Sequence, residues 1–325
     1  MIIEKKLEGF NNKLVFDKLN YPQCTCGKCP KFYWNMLNIG ARGSGKTYTI
    51  VQMIKHYEKH KIMRDGVQYS LRTHLISPTI QANEIYQSLE SLNMKKDAHD
   101  DYSDTLLLSI IDDIKAEKKE YDKYLLYKKY YEKFIKTPES KLDKLYDEEP
   151  EIFHLLEEYD YQHPKDIKHE PPKINIVLLD DLLGSDAFTK KTKSVLTNAM
   201  IKNRHMGICF ALLVQSIKAV PKNIRLNCSV FQLASFKNKK TILEDIYEEV
   251  SNVIGVDEFE ELYDHATKKP YGSLIIDTTN GKRFLSNLDS ELFIETPHSS
   301  SLGGGTPKNK ISANNKDADN SRSKK

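Results

Sequence analysis

Eight residues in the first sixth of the chain have types and spacing suited to phosphate chemistry. Gly40, Ala41, Arg42, Gly43, Ser44, Gly45, Lys46 and Thr47 match the pattern G-x-x-x-x-G-K-[ST]. Gly40, Gly43 and Gly45 permit a tight bend whose backbone N–H groups face an anion. Lys46 has the reach and charge to meet the β and γ phosphates of a nucleotide. The Thr47 hydroxyl is an oxygen ligand suited to Mg²⁺. A bare turn between a strand and a helix needs glycines, but it does not need Lys-Thr after the last of them. The eight residues therefore predict a cradle for ATP with Mg²⁺.

Two further groups of residues fit hydrolysis. Residues 174–181, INIVLLDD, read as an apolar strand ending in two acids. Such a strand would deliver Asp180 to the sheet edge as a Mg²⁺ ligand, and Asp181 as the base or orienter of the attacking water. Residues 208–216, ICFALLVQS, end a second buried strand on Gln215, placed to sense the γ-phosphate or orient water. Arg204 precedes that strand and Arg225 follows it. Either suits the finger that one subunit offers to its neighbour's nucleotide, and either suits an ordinary surface ion pair. Cys24, Cys26 and Cys29 invite a zinc reading. Three thiols fall short of the usual four ligands, and their spacing is not that of a zinc ribbon, so the reading stays open.

These groups require elements to hold them. Residues 32–39, between Pro30 and Gly40, read as a buried strand, and TYTIVQMIKHYEKH after the glycine loop reads as a helix. HLIS, ending before Pro78, reads as another strand. Residues 190–207 predict a helix stopped by Gly207, and CSVFQLASF a fifth strand. TILEDIYEEVSN and DEFEELYDHATKK predict amphipathic helices. GSLIIDTTNGKRFLS predicts a C-terminal β-hairpin turning on Asn280-Gly281. Buried strands alternating with helices imply an α/β fold with a mainly parallel sheet covered on both faces.

Residues 84–168 are rich in Lys, Glu, Asp and Tyr and predict long charged helices, inserted at one edge of the core with their charges solvated. The expected organisation is a lead-in over 1–31, a P-loop domain over 32–296 carrying that insertion, and a disordered tail over 297–325. The tail has almost no large apolar residues with which to offset ordering entropy. Charged residues make up 29% and hydrophobic residues 39% of 325 positions, which fits a soluble globular chain. A formal net charge of +3 is too small to argue for nucleic acid by itself. No apolar run approaches the roughly 20 residues of a membrane span, and residues 1–10 lack a signal-peptide core. The chain reads as intracellular, with its five cysteines reduced.

The order GARGSGKT, HLISPT, IVLLDD, NRH, ALLVQS and IRLNCSVFQLASF resembles the genome-packaging ATPases of nucleocytoplasmic large DNA viruses. This poxvirus-like group is a branch of the FtsK–HerA class of P-loop motors. Pro78, the pair Arg204-His205, Gln215 and Arg225 fall where that family has counterparts. Asp181 matches the poxvirus-like Asp-Asp, where FtsK and HerA relatives have Asp-Glu. The likeness covers 32–78 and 174–236 well and the C-terminal part more loosely. It implies a RecA-like ASCE fold and a homo-oligomeric ring that moves double-stranded DNA into a capsid. It also implies contacts with capsid or portal-region proteins, and a setting in the viral factory of the host cytoplasm or in the virion. The residues themselves leave two other readings open, a P-loop phosphotransferase and a nucleotide-switched assembly factor.

Overall fold

The computed structural model describes residues 2–6, 21–182, 184–188, 194–236, 238–279 and 281–294. Among them run strands β1 (Ile2–Lys6), β2 (Gln23–Cys24), β3 (Asn35–Ile39), β4 (Ile62–Arg64), β5 (Val67–Tyr69), β6 (Leu71–Ile76) and β7 (Ala98–His99). These are followed by β8 (Ile174–Asp180), β9 (Ile208–Val214), β10 (Val230–Ala234), β11 (Ser273–Asp277), β12 (Arg283–Ser286) and β13 (Ser290–Ile294). The main sheet has the order β1-β13-β12-β11-β10-β3-β9-β8-β6-β7. From β10 to β7 neighbouring strands are parallel, and from β11 to β1 they are antiparallel. β2, β4 and β5 form a separate small sheet.

The central strands read as nearly continuous apolar runs because they are buried on both faces and need no polar alternation. Every residue of β3, β8 and β9 is buried. Their side chains alternate between two apolar clusters. Leu37, Ile39, Val177, Leu179, Phe210, Leu212 and Val214 enter one, while Met36, Ile176, Leu178, Cys209, Ala211 and Leu213 enter the other. Each large apolar side chain so buried contributes roughly 1.5–3 kcal/mol. Helix α1 (Lys46–Lys59) covers the second face, burying Ile50, Val51, Ile54 and Tyr57 at helical spacing. The first face receives α2 (Asp104–Lys136) and later helices, through Leu107, Ile110, Ile111, Ile114, Leu196, Ile246 and Phe259. The expected α/β architecture with a mainly parallel sheet is therefore present. One strand, β9, lies between the strand of the glycine loop and the strand of the acids.

Two expectations need correction. Residues 84–168 are not all an edge insertion. Ala98–His99 pairs with the end of β6, and the first three turns of α2 belong to the main core. Only the distal half forms its own cluster, Tyr127 with α3 (Leu142–Glu148) and α4 (Pro150–Glu158) through Leu145, Ile152, Phe153 and Leu156. The predicted C-terminal hairpin is present as β11 paired with β12, with Asp277 opposite Arg283. The Asp277 carboxylate accepts from the Thr279 N–H and hydroxyl at 2.8 and 2.6 Å and pairs with Arg283 at 3.5 Å. That hairpin is also extended by β13, and the lead-in supplies β1 beside it. Asn280, residues 190–193 and the tail over 297–325 lie outside the described residues.

Candidate active site

The end of β9 fixes the geometry of the site. The Gly40 N–H donates to the Val214 carbonyl at 3.2 Å, and the Asp181 N–H donates to the Leu213 carbonyl at 3.3 Å. One strand end thus locks the glycine loop on one side and the acidic pair on the other. The next residue, Gln215, lies between them. Its Nε2 donates to Asp181 Oδ1 at 2.9 Å. Asp181 sits at φ 56, a left-handed conformation that aspartate tolerates better than most residues. That turn carries the second acid out of line with the strand, so Asp180 and Asp181 have different environments.

The glycine loop, residues 40–45, joins β3 to α1. A Cβ on Gly40 would lie 2.5 Å from Ser44 Oγ and 2.7 Å from the Ala234 side chain, so the loop closes only on glycine. Gly45 caps α1 at φ 94. Lys46 curls over the loop and donates to the Gly40 and Ala41 carbonyls at 2.7 and 2.9 Å. Ser44 Oγ is buried without a hydrogen-bond partner among the described residues. An orphaned hydroxyl, a lysine and a helix N-terminus converging on one cradle fit a polyphosphate. Thr47 and Asp180 supply the hard oxygen donors that suit Mg²⁺ rather than a softer ion.

Asp180 is buried, and its Oδ2 accepts from the Tyr86 hydroxyl at 2.5 Å. Burial raises its pKa above the ordinary carboxylate value. The Tyr86 bond opposes the rise, Asp181 adds to it, and Lys46 opposes it again. Burial likewise lowers the pKa of Lys46, while Asp180 and Asp181 push it back up. The Tyr86 phenol is held well above its usual value by burial and then by Asp180, with the Thr47 hydroxyl acting the other way. Acid, lysine and phenol are thus one coupled set around Thr47.

These groups open into a cavity of about 920 Å³. It is lined by the loop residues Arg42 to Thr47, by Asp180, Asp181 and Gln215, and by Thr79, Asn83 and Tyr271. Ala41 holds its place through its carbonyl, bonded to Lys46. Sequence reasoning missed Tyr86, which is buried between α1 and the sheet, and Tyr271, which packs over Gly45. Tyr86 lies eight positions after Pro78, in a stretch whose composition reads as solvent-facing, and no spacing rule marks it. The two arginines are elsewhere. Arg204 is exposed and lines a cavity with Asn35 and Ser229, at the edge of the sheet where the parallel strands begin. The Arg225 guanidinium pairs with the Glu249 carboxylate at 2.6 Å, and both side chains are largely buried. The cysteines also lie apart, beyond the far end of α1. The Cys26 thiol is drawn down to about 5 by the Cys29 S–H, against burial, while burial pushes Cys29 well up.

No helix among the described residues is long and apolar enough to cross a membrane. No family model matches the sequence, and no curated protein matches it. Solved structures do. One is the genome-packaging NTPase B204 from Sulfolobus turreted icosahedral virus 2 in complex with AMP, at 12% identity and a TM-score of 0.41, over 78% of this chain and 96% of that one. The DNA-packaging ATPase B204 from Sulfolobus turreted icosahedral virus is similar at 13% identity and a TM-score of 0.40, over 78% and 96%. EssC (ATPases 2 and 3) from Geobacillus thermodenitrificans is similar at 14% identity and a TM-score of 0.37, over 80% of this chain and 39% of that one.

Proposed function

We propose that this chain is an ATP-hydrolysing motor that moves double-stranded DNA into a viral capsid, of the kind found in nucleocytoplasmic large DNA viruses. The observation that carries the hydrolytic part is the bond from Gln215 to Asp181 at 2.9 Å, held at the lip of the glycine-loop cavity by the end of β9. A phosphotransferase needs an acceptor pocket more than a paired acid and amide. Here the polar groups beside the cradle are arranged to hold a small molecule such as water.

The chemistry follows from the residues. Loop N–H groups and the N-terminus of α1 bind the phosphates, and Lys46 transfers its donors from its own loop carbonyls to the β and γ phosphate oxygens. Mg²⁺, held by Thr47 and Asp180, would neutralise charge developing between those phosphates. Asp181 accepts a proton from water as the water oxygen bonds to the γ phosphorus. The bond from that phosphorus to the β-bridging oxygen breaks, leaving ADP and inorganic phosphate. Gln215 keeps the Asp181 carboxylate aimed at the water. The packaging role, the homo-oligomeric ring, the capsid or portal-region partners and the cytoplasmic or virion setting rest on the order of motifs along the chain. In such a ring Arg204, being exposed, is freer to reach a neighbouring subunit than Arg225, which Glu249 holds.

Asp181→Asn separates binding from chemistry. It should leave ATP affinity within about twofold while cutting hydrolysis by at least ~100-fold, the usual scale for a general base. Calorimetric titration with ATP and a phosphate-release assay on the same preparation read both. Loss of binding, or hydrolysis at the wild-type rate, would overturn the role given to Asp181.

A further inference from the structure

The cysteines of the lead-in have partners that lie far from them in sequence. Helix α1 begins at the glycine loop and ends with His56 and His60 in its last residues and cap. Being four apart, the two imidazoles project from one side of the helix. The short segment 24–29 folds back against that end. Cys24 pairs with Ile62 in the small sheet, and the Thr25 N–H donates to the Lys61 carbonyl at 2.9 Å. The ligand atoms of Cys26, His56 and His60 all lie within 4.8 Å of one another. Cys29 Sγ is 3.7 Å from Cys26 Sγ. Two thiolates on one tetrahedral zinc, each at about 2.3 Å, would be about 3.8 Å apart.

We propose that Cys26, Cys29, His56 and His60 form a structural zinc site that fastens the lead-in to the C-terminal end of the nucleotide-binding helix.

Three observations support it beyond proximity. His60 Nδ1 lies 2.6 Å from the His56 carbonyl. A carbonyl can only accept, so Nδ1 carries the proton and Nε2 is left as a neutral lone pair for the metal. A backbone acceptor on the outer nitrogen is what orients ligating histidines elsewhere. The surroundings are also rigid. The Arg283 guanidinium donates to the Gly27 carbonyl at 2.9 Å, and the Tyr57 hydroxyl donates to the Pro30 carbonyl at 2.6 Å, so both sides of the Cys26–Cys29 turn are held. Cys26 and Cys29 are themselves buried, as closed structural sites require. Finally, the spacing is C-x2-C followed by H-x3-H, the ligand pattern of Cys₂His₂ sites, with a longer intervening stretch that contains the glycine loop. Cys24 is the thiol that distracts from this pattern. Its sulfur accepts from the Cys26 N–H at 3.3 Å and is left outside the ligand set.

The test uses the full chain, expressed with zinc supplied and purified without chelator. Elemental analysis should find one zinc per chain. Replacement by Co²⁺ should give the visible bands of a tetrahedral site and a thiolate charge-transfer band. Cys26→Ser and His60→Ala should lose the metal, whereas Cys24→Ser and Lys46→Ala should keep it. Stripping the metal from the wild-type chain should lower its melting temperature, and restoring Zn²⁺ should recover it. The Co²⁺ spectrum of the wild-type chain keeps the test decisive if a variant fails to fold. Absence of zinc together with no tetrahedral Co²⁺ spectrum would overturn the proposal, as would a Cys26–Cys29 disulfide in the freshly purified chain. Metal lost in Cys24→Ser but kept in Cys29→Ser would overturn the ligand set.

Discussion

At the scale of residues, the site depends on one side chain that no motif announces. Tyr86 gives the buried Asp180 its only hydrogen bond from a side chain among the described residues. Tyr86→Phe keeps the ring and its packing but leaves a buried carboxylate short of a donor. The expected loss is about 1–3 kcal/mol of stability, with weaker Mg²⁺-dependent ATP binding, read by urea denaturation and by ATP titration with and without Mg²⁺. If both stay at wild-type values, the phenol is a bystander. The glycine loop, Asp180, Asp181 and Gln215 were legible in the sequence because each follows an apolar run that must end at the same sheet edge. Tyr86 was not, because its role comes from a fold-back beneath α1 that local spacing does not encode. The C-x2-C and H-x3-H pattern was present in the sequence too. A third cysteine hid the first half, and the second half lies in a helix that reads as an ordinary amphipathic one.

At the scale of elements, the segment with the most charged composition hides part of the core. Leu107 on α2 is buried against the sheet, whereas the next residue, Leu108, is 45% exposed. Leu107→Ala should cost about 2–5 kcal/mol and Leu108→Ala no more than about 0.5 kcal/mol. Equal effects in chemical denaturation would show that α2 does not pack on the sheet as described. The charge of α2 obscured this because only one stripe of the helix is apolar and the rest faces water. The pairing of β1 with β13 was illegible for a different reason, since it joins the two ends of the described chain across almost the whole sequence. On β6, His74 faces Asn175 at 3.2 Å and Asp97 at 3.7 Å, with Arg72 nearby. Burial first, then Arg72, lowers its pKa from 6.5 to about 4, so its contact with Asp97 is not an ion pair at neutral pH. The unfolded chain binds this proton near 6.5 and the folded chain only near 4. Stability is therefore full above that window and falls as the pH drops through it, by up to about 1.4 kcal/mol per unit. Urea midpoints at several pH values should show this slope, and His74→Gln should flatten it. The same slope in the variant would remove His74 as its cause.

At the scale of the whole molecule, nucleotide chemistry and its mechanical output lie on different footings. The sheet brings the cradle, the acids and the amide into one cavity, so hydrolysis is read from geometry. The proposed movement of DNA rests on the order of motifs along the chain. The most direct measurement is steady-state ATP hydrolysis by the purified chain with and without double-stranded DNA, with Lys46→Ala as the blank. The expected result is Mg²⁺-dependent phosphate release that duplex DNA accelerates severalfold and that Lys46→Ala abolishes. Phosphate release that ignores DNA, transfer of phosphate to a small acceptor instead of water, or ATP held without turnover would contradict it.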